Sequence, residues 1–137
     1  MPASIELLQS ALGDYFAPWV QDLHLQVESF DASGQVTLRL PLSSQLTRVG
    51  DMVCGQAMMA AGDTAMVLAL MAMWGEFRPC TTVQMSTSFL KPLAAQDGLV
   101  RAQVLRAGKS LAFGEIEIVG ANDKKSACRL STTYALL

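Results

Sequence analysis

The chain has 137 residues, of which 51% are hydrophobic and 16% charged, with a formal net charge of −2. That length, with no internal repeat, predicts a single domain over residues 1–137 with a sizeable core. The charge balance and the lack of a basic stripe with interleaved aromatics speak against nucleic acid as a partner.

Three cysteines, Cys54, Cys80 and Cys128, form no CxxC spacing. An odd count without such spacing argues against a disulfide framework or a zinc site and for a reducing cytoplasm. The opening MPASIELLQSALGDYF has no basic segment followed by an apolar one, so it does not read as a signal peptide. It reads as a short helix capped by Ser4, with Ile5, Leu8, Leu12 and Phe16 on its apolar side.

Two strand patterns follow. His24 to Phe30 alternates, and Gln35 to Leu40 alternates more clearly, with Val36, Leu38 and Leu40 on one side. Asp31 to Gly34 supplies the turn, and Pro41 ends the second strand. A polar connector from Ser43 to Asp51 leads into MVCGQAMMAAGDTAMVLALMAMWG, Met52 to Gly75, most of it helical and closed by Gly75 and Pro79. The stretch is long enough to cross a bilayer. Asp63 near its centre would cost about 2.5–3.5 kcal/mol there. Its flanks, Arg48 with Asp51 and Glu76 with Arg78, carry balanced charge. A core helix is the expectation, with no membrane partner.

Thr81 to Leu90 reads as a strand with Val83, Met85, Thr87 and Phe89 on a packed face. Thr82, Gln84, Ser86 and Ser88 fall on the other, and Lys91-Pro92 stops it. Leu99–Arg106, Leu111–Val119 and Ser126–Tyr134 follow as three further strands. Helix, two strands, long helix and four strands predict an α+β fold, a curved antiparallel sheet of about six strands wrapped around the long helix. The apolar excess predicts a homo-oligomer, dimer or tetramer.

Asp63 is the only charge in that apolar stretch, and an unpaired carboxylate there is costly unless something uses it. Gly55 stands at the helix start, where free N–H groups and the macrodipole favour an anion or a polarised carbonyl oxygen. Eight residues separate the two, roughly 12 Å along one helix. A two-fold dimer with antiparallel helices would bring Asp63 of one chain to Gly55 of the other. The alternative is a structural carboxylate, satisfied by Thr64 or by strand hydroxyls. Cys54, at the same helix start, reads as a small packed thiol rather than a nucleophile. His24 is the sole histidine and reads as a strand or surface residue, which argues against a Ser-His-Asp triad. The methionines from Met58 to Met73 read as plastic packing able to face a flexible acyl or aryl group.

The segment VCGQAMMAAGDTA resembles the helix motif of hotdog-fold thioesterases of the phenylacetate-degradation type. That motif has an acidic residue eight positions after a glycine, often followed by Thr-Ala. TTVQMSTSFLKP and RAGKSLAFGEIEI are similar to the family's later strand and hairpin, so the resemblance spans residues 24 to 135. It implies the hotdog fold and hydrolysis of a small or medium acyl- or aryl-CoA thioester. Coenzyme A enters as part of the substrate, with no other cofactor and no metal, and the site is shared across a dimer interface. It implies Asp63 as base or nucleophile, Gly55 as the N–H that polarises the thioester carbonyl, and Thr82 as the hydroxyl that orients water. Cys54, Gln56, Arg48 and Thr64 then fall beside the substrate, and Lys91, Arg106 and Lys109 are candidates for the coenzyme phosphates. The family's histidine is Cys54 here, its second glycine is Gln56, and Arg48 stands near its asparagine. These departures predict weakened or altered turnover, and the second reading is a non-catalytic binder of acyl thioesters.

Overall fold

The structure, a computed structural model, describes residues 2–137. Ser4 caps α1 (Ile5–Asp14), its hydroxyl accepting the Leu7 N–H at 3.0 Å. The helix buries Leu8 and Ala11, while Ile5 stays 38% exposed and Leu12 and Phe16 pack only partly. The buried stripe is thus rotated from the expected one. A four-residue helix α2 (Pro18–Gln21) follows, begun by a proline whose missing N–H costs nothing at a first helical position.

The strands are β1 (Gln26–Asp31), β2 (Gln35–Leu40), β3 (Thr47–Arg48) and β4 (Met52–Val53), then β5 (Cys80–Phe89), β6 (Gly98–Ala107), β7 (Leu111–Gly120) and β8 (Ser126–Leu136). Six of them form one sheet in the order β1-β2-β6-β7-β8-β5, every pairing antiparallel. The short β3, inside the polar connector, pairs separately with β4, the first two residues of the apolar stretch that leads into the long helix. The first strand begins at Gln26 because His24 takes a left-handed backbone, φ 54°, that ends the preceding turn.

Against the sheet lies α3 (Gly55–Trp74), with twelve of its twenty residues buried. It is the core helix of the domain, which accounts for apolar residues on nearly every side. Ala61, Ala65, Leu68 and Ala69 are fully buried against alternating residues such as Leu38, Val100, Ile118 and Tyr134. Each large apolar side chain enclosed this way contributes about 1.5–3 kcal/mol. Gly62 allows the close approach, since a Cβ there would lie 3.0 Å from the Leu130 side chain. Gly75 ends α3 at φ 78°, donating its N–H to the Met71 carbonyl at 2.7 Å.

β5 departs from the alternation read in the sequence. A bulge between Thr82 and Gln84 leaves Val83 without a partner in the ladder. Beyond it, Met85 pairs with Thr132 and Thr87 with Leu130. Before it, Thr82 pairs with Tyr134. The extra residue reverses the parity, so Thr82 faces the helix together with Met85 and not away from it. β5 is also an edge strand, and Val83, Phe89 and the adjoining Leu90 are each at least half exposed.

Candidate functional site

The neighbours Thr82 and Tyr134, paired across β5 and β8, point at the same turn of α3. The Thr82 hydroxyl donates to Oδ1 of Asp63 at 2.8 Å, and the Tyr134 hydroxyl donates to that same oxygen at 2.7 Å. Tyr134 also lies 3.3 Å from the Asp63 carbonyl oxygen. Oδ2 receives no hydrogen bond from any described residue. One carboxylate oxygen is thus anchored from the sheet, and the other keeps its lone pairs for something else. Asp63 is only half-buried, so Oδ2 is open to solvent or to a ligand.

Tyr134 is completely buried. Burial first, and then the charge of Asp63, push its phenol well above the ordinary tyrosine range, so it remains a donor at any working pH. Cys80, at the start of β5, is pushed up by the same two causes in the same order and is held as a thiol.

Asp63 is half-buried and opens into a groove of about 370 Å³. Gln56, Ala60 and Thr64 of α3 line it beside Asp63, although Thr64 is only 3% exposed. Met59, Val67 and Met85 add apolar surface, and Phe16, Trp19 and Val20 close the far side.

Gly55 opens elsewhere. A second groove, about 410 Å³, is lined by Arg48, Gly55, Phe89 and Lys91 among others. The first bond within α3 runs from the Met58 N–H to the Cys54 carbonyl at 3.3 Å, which leaves the N–H groups of Gly55, Gln56 and Ala57 as the unpaired donors of a helix start. Cys54 caps the helix without any side-chain hydrogen bond. A Cβ at Gly55 would sit 3.0 Å from the Phe89 ring, so a larger residue would displace that ring from the groove.

Within one chain, then, Asp63, Thr82, Thr64 and Gln56 come together, and Gly55 and Arg48 come together with Lys91. The two groups face different grooves. Lys91 is held by Asp123 at 3.0 Å. Arg106 and Lys109 lie at the β6–β7 hairpin, the end of the sheet where Cys80 pairs with Leu136, opposite the end where Phe89 meets Gly55. They are not near Lys91 in the same chain. Among the described residues no cluster of three or more potential metal ligands occurs.

Tyr134 is the site residue that sequence reasoning missed. Its signal was faint: an aromatic hydroxyl at an inward position of the last strand, where Leu130 and Thr132 precede it at alternate residues.

A single helix cradled by a six-stranded antiparallel sheet, with an acidic residue turned out of that helix, defines the hotdog thioesterase fold. Residues 48–127 match the thioesterase superfamily, and the chain belongs to it. A Thermoplasma acidophilum protein that bears a provisional esterase name is 28% identical over 106 residues, covering 77% of this chain and 80% of that protein. A solved structure from Silicibacter, provisionally named a thioesterase, superimposes with a TM-score of 0.87 at 24% identity, over 98% of this chain and 92% of the other. Mouse thioesterase superfamily member 2 superimposes at 0.86 and 19% identity, over the whole of both chains.

Proposed function

We propose that the chain is an acyl-CoA thioesterase of the phenylacetate-degradation type, working as a dimer or a pair of dimers in the cytoplasm. The observation that carries this reading is the half-anchored Asp63, with both sheet hydroxyls on Oδ1 and Oδ2 unpaired beside a groove. Oδ2 takes a proton from water, the resulting hydroxide attacks the thioester carbonyl carbon, and the carbonyl oxygen becomes an oxyanion. The carbon–sulfur bond then breaks, and the leaving thiolate of coenzyme A recovers the proton. In the covalent variant Oδ2 attacks the carbonyl carbon, the carbon–sulfur bond breaks to release the coenzyme A thiolate, and water then opens the mixed anhydride at the Asp63 carboxyl carbon, so that oxygen isotope from labelled water entering the Asp63 side chain distinguishes it.

The oxyanion donor is the Gly55 N–H of a second copy. β5 supports this arrangement: ten residues of free edge, with no proline and no charge to blunt it. Two such edges joined antiparallel about an axis at Ser86, with the bulged Val83 left out of the count, set Thr82 of one copy against Phe89 of the other. Phe89 touches the Gly55 position, and Thr82 touches Asp63. The separation that prevents one chain from assembling the site is thereby removed. The same operation turns the hairpin end of one copy, with Arg106 and Lys109, toward the end of the other that carries Arg48 and Lys91. These four cations suit the phosphates of coenzyme A.

A panel of acyl- and aryl-CoA esters, assayed for released thiol, tests the reading. Hydrolysis of at least one class supports it. Tight binding of the esters without release of thiol supports instead the non-catalytic binder, which the unpaired Cys54 at the helix cap favours.

A further inference from the structure

The groove at Asp63 has one wall that does not come from the segment matched to the superfamily. Phe16, Trp19 and Val20 stand at the end of α1 and on α2, well before residue 48. Trp19 is 61% exposed although its ring borders an apolar groove. A large ring left in water beside such a groove gains most when an apolar group lies against it.

Charge narrows the chemistry further. Among the described residues of one chain, Asp63 is the only ionisable side chain lining the groove, and no lysine, arginine or histidine faces it. A carboxylate at the far end of an acyl chain would lie against the apolar wall of Phe16, Trp19 and Val20, where this chain offers no cation and Asp63 is the charge that lines the same groove. In that setting repulsion is weakly screened and the lost hydration is not replaced.

We infer that the α1–α2 wall, with Trp19 as its principal residue, selects neutral apolar acyl groups and rejects acyl groups that end in a carboxylate. This rests on the proposed thioesterase reading and adds the substrate class. The apolar chain lies between Trp19 and Phe16 on one side and Met59, Val67 and Met85 on the other, with its thioester end at Asp63.

The test uses two non-hydrolysable thioethers of equal chain length, S-hexyl-CoA and S-(5-carboxypentyl)-CoA, titrated by calorimetry into the full chain. Binding of the hexyl compound about tenfold or more tighter than the carboxylated one is expected. Trp19→Ala should remove most of the hexyl compound's advantage over coenzyme A itself, and Trp19→Phe should restore it. Equal affinity for the two thioethers, no binding of either, or an advantage unaffected by Trp19→Ala overturns the inference. So does a change of oligomeric state in Trp19→Ala, measured by light scattering, because the wall would then belong to a contact between copies. Preferential binding together with no hydrolysis of hexanoyl-CoA leaves the selection standing and removes the thioesterase reading.

Discussion

The hydroxyl of Tyr134, seventy-one residues along the chain from Asp63, donates to its Oδ1 at 2.7 Å from a fully buried position on the last strand. Thr82 reaches the same oxygen from the neighbouring strand. The bond fixes the carboxylate in rotation as well as position, because a second donor on one oxygen determines where the other oxygen points. Tyr134→Phe keeps the ring and deletes the donor. Its expected cost is about 1.5–3 kcal/mol of stability, as for other hydrogen bonds to a charged group. Thioester turnover should fall about tenfold in kcat with little change in KM, since the substrate does not touch the phenol. Unfolding curves and steady-state kinetics on the same preparation check both. Because burial and Asp63 push the phenol upward, wild-type activity should show no alkaline limb from Tyr134 near its ordinary value of 10.0.

The edge of β5 gives a separate prediction. Ser86 is exposed and stands at the proposed two-fold axis, opposite its own counterpart. Ser86→Lys sets two like charges close together across the joined strands, which is unfavourable in a cross-strand arrangement. Light scattering should show dissociation to single chains with circular dichroism unchanged, and activity should fall with the loss of the dimer. A dimer that persists at full activity would place the contact elsewhere.

Much of the fold was legible because the alternation in β2 and β7 is strong and because α3 is uninterrupted by any charge except Asp63. The isolation of that residue also pointed to the site. Thr82 shows where legibility stopped. A strictly alternating strand sends it away from Met85, and a single bulged residue, Val83, brings it back. Nothing in TTVQMSTSFL marks a bulge, because the pairing depends on the opposing strand. Tyr134 was hidden for a related reason: register across β5 and β8, and not spacing along the chain, sets it opposite Thr82. The four-residue α2 is too short for a periodic pattern, so the wall that carries Trp19 gave no signal.

Acid should loosen the loop that holds Lys91. The Asp123 carboxyl is held down to about 2, most of all by the Lys125 N–H, then by Lys91 and Gln96. Its ordinary value is 3.8. A carboxyl depressed in the folded state stabilises that state above its unfolded value, and the contribution fades as pH falls toward the folded one. Asp123→Asn should therefore be less stable than wild type at neutral pH. The gap should close between about pH 4 and pH 2. Denaturant midpoints across that range measure it, and a gap that widens in acid would contradict the assignment.

Burial pushes the Cys128 thiol up to about 11, whereas Cys54 is only half-buried at its helix start. With a disulfide reagent at mild alkaline pH, Cys54 should be labelled first and Cys128 only on unfolding. Mass mapping of a timed reaction checks the order. Rapid labelling of Cys128 in the folded chain would show that β8 opens more readily than its packing implies.

The most direct measurement compares thiol release by wild type and by Asp63→Asn over the same set of acyl-CoA esters, with melting temperatures recorded for both. If Oδ2 of Asp63 is the reacting oxygen, the variant stays folded and loses about a hundredfold or more in kcat. A folded Asp63→Asn chain that hydrolyses its best ester at the wild-type rate would contradict the role of Asp63.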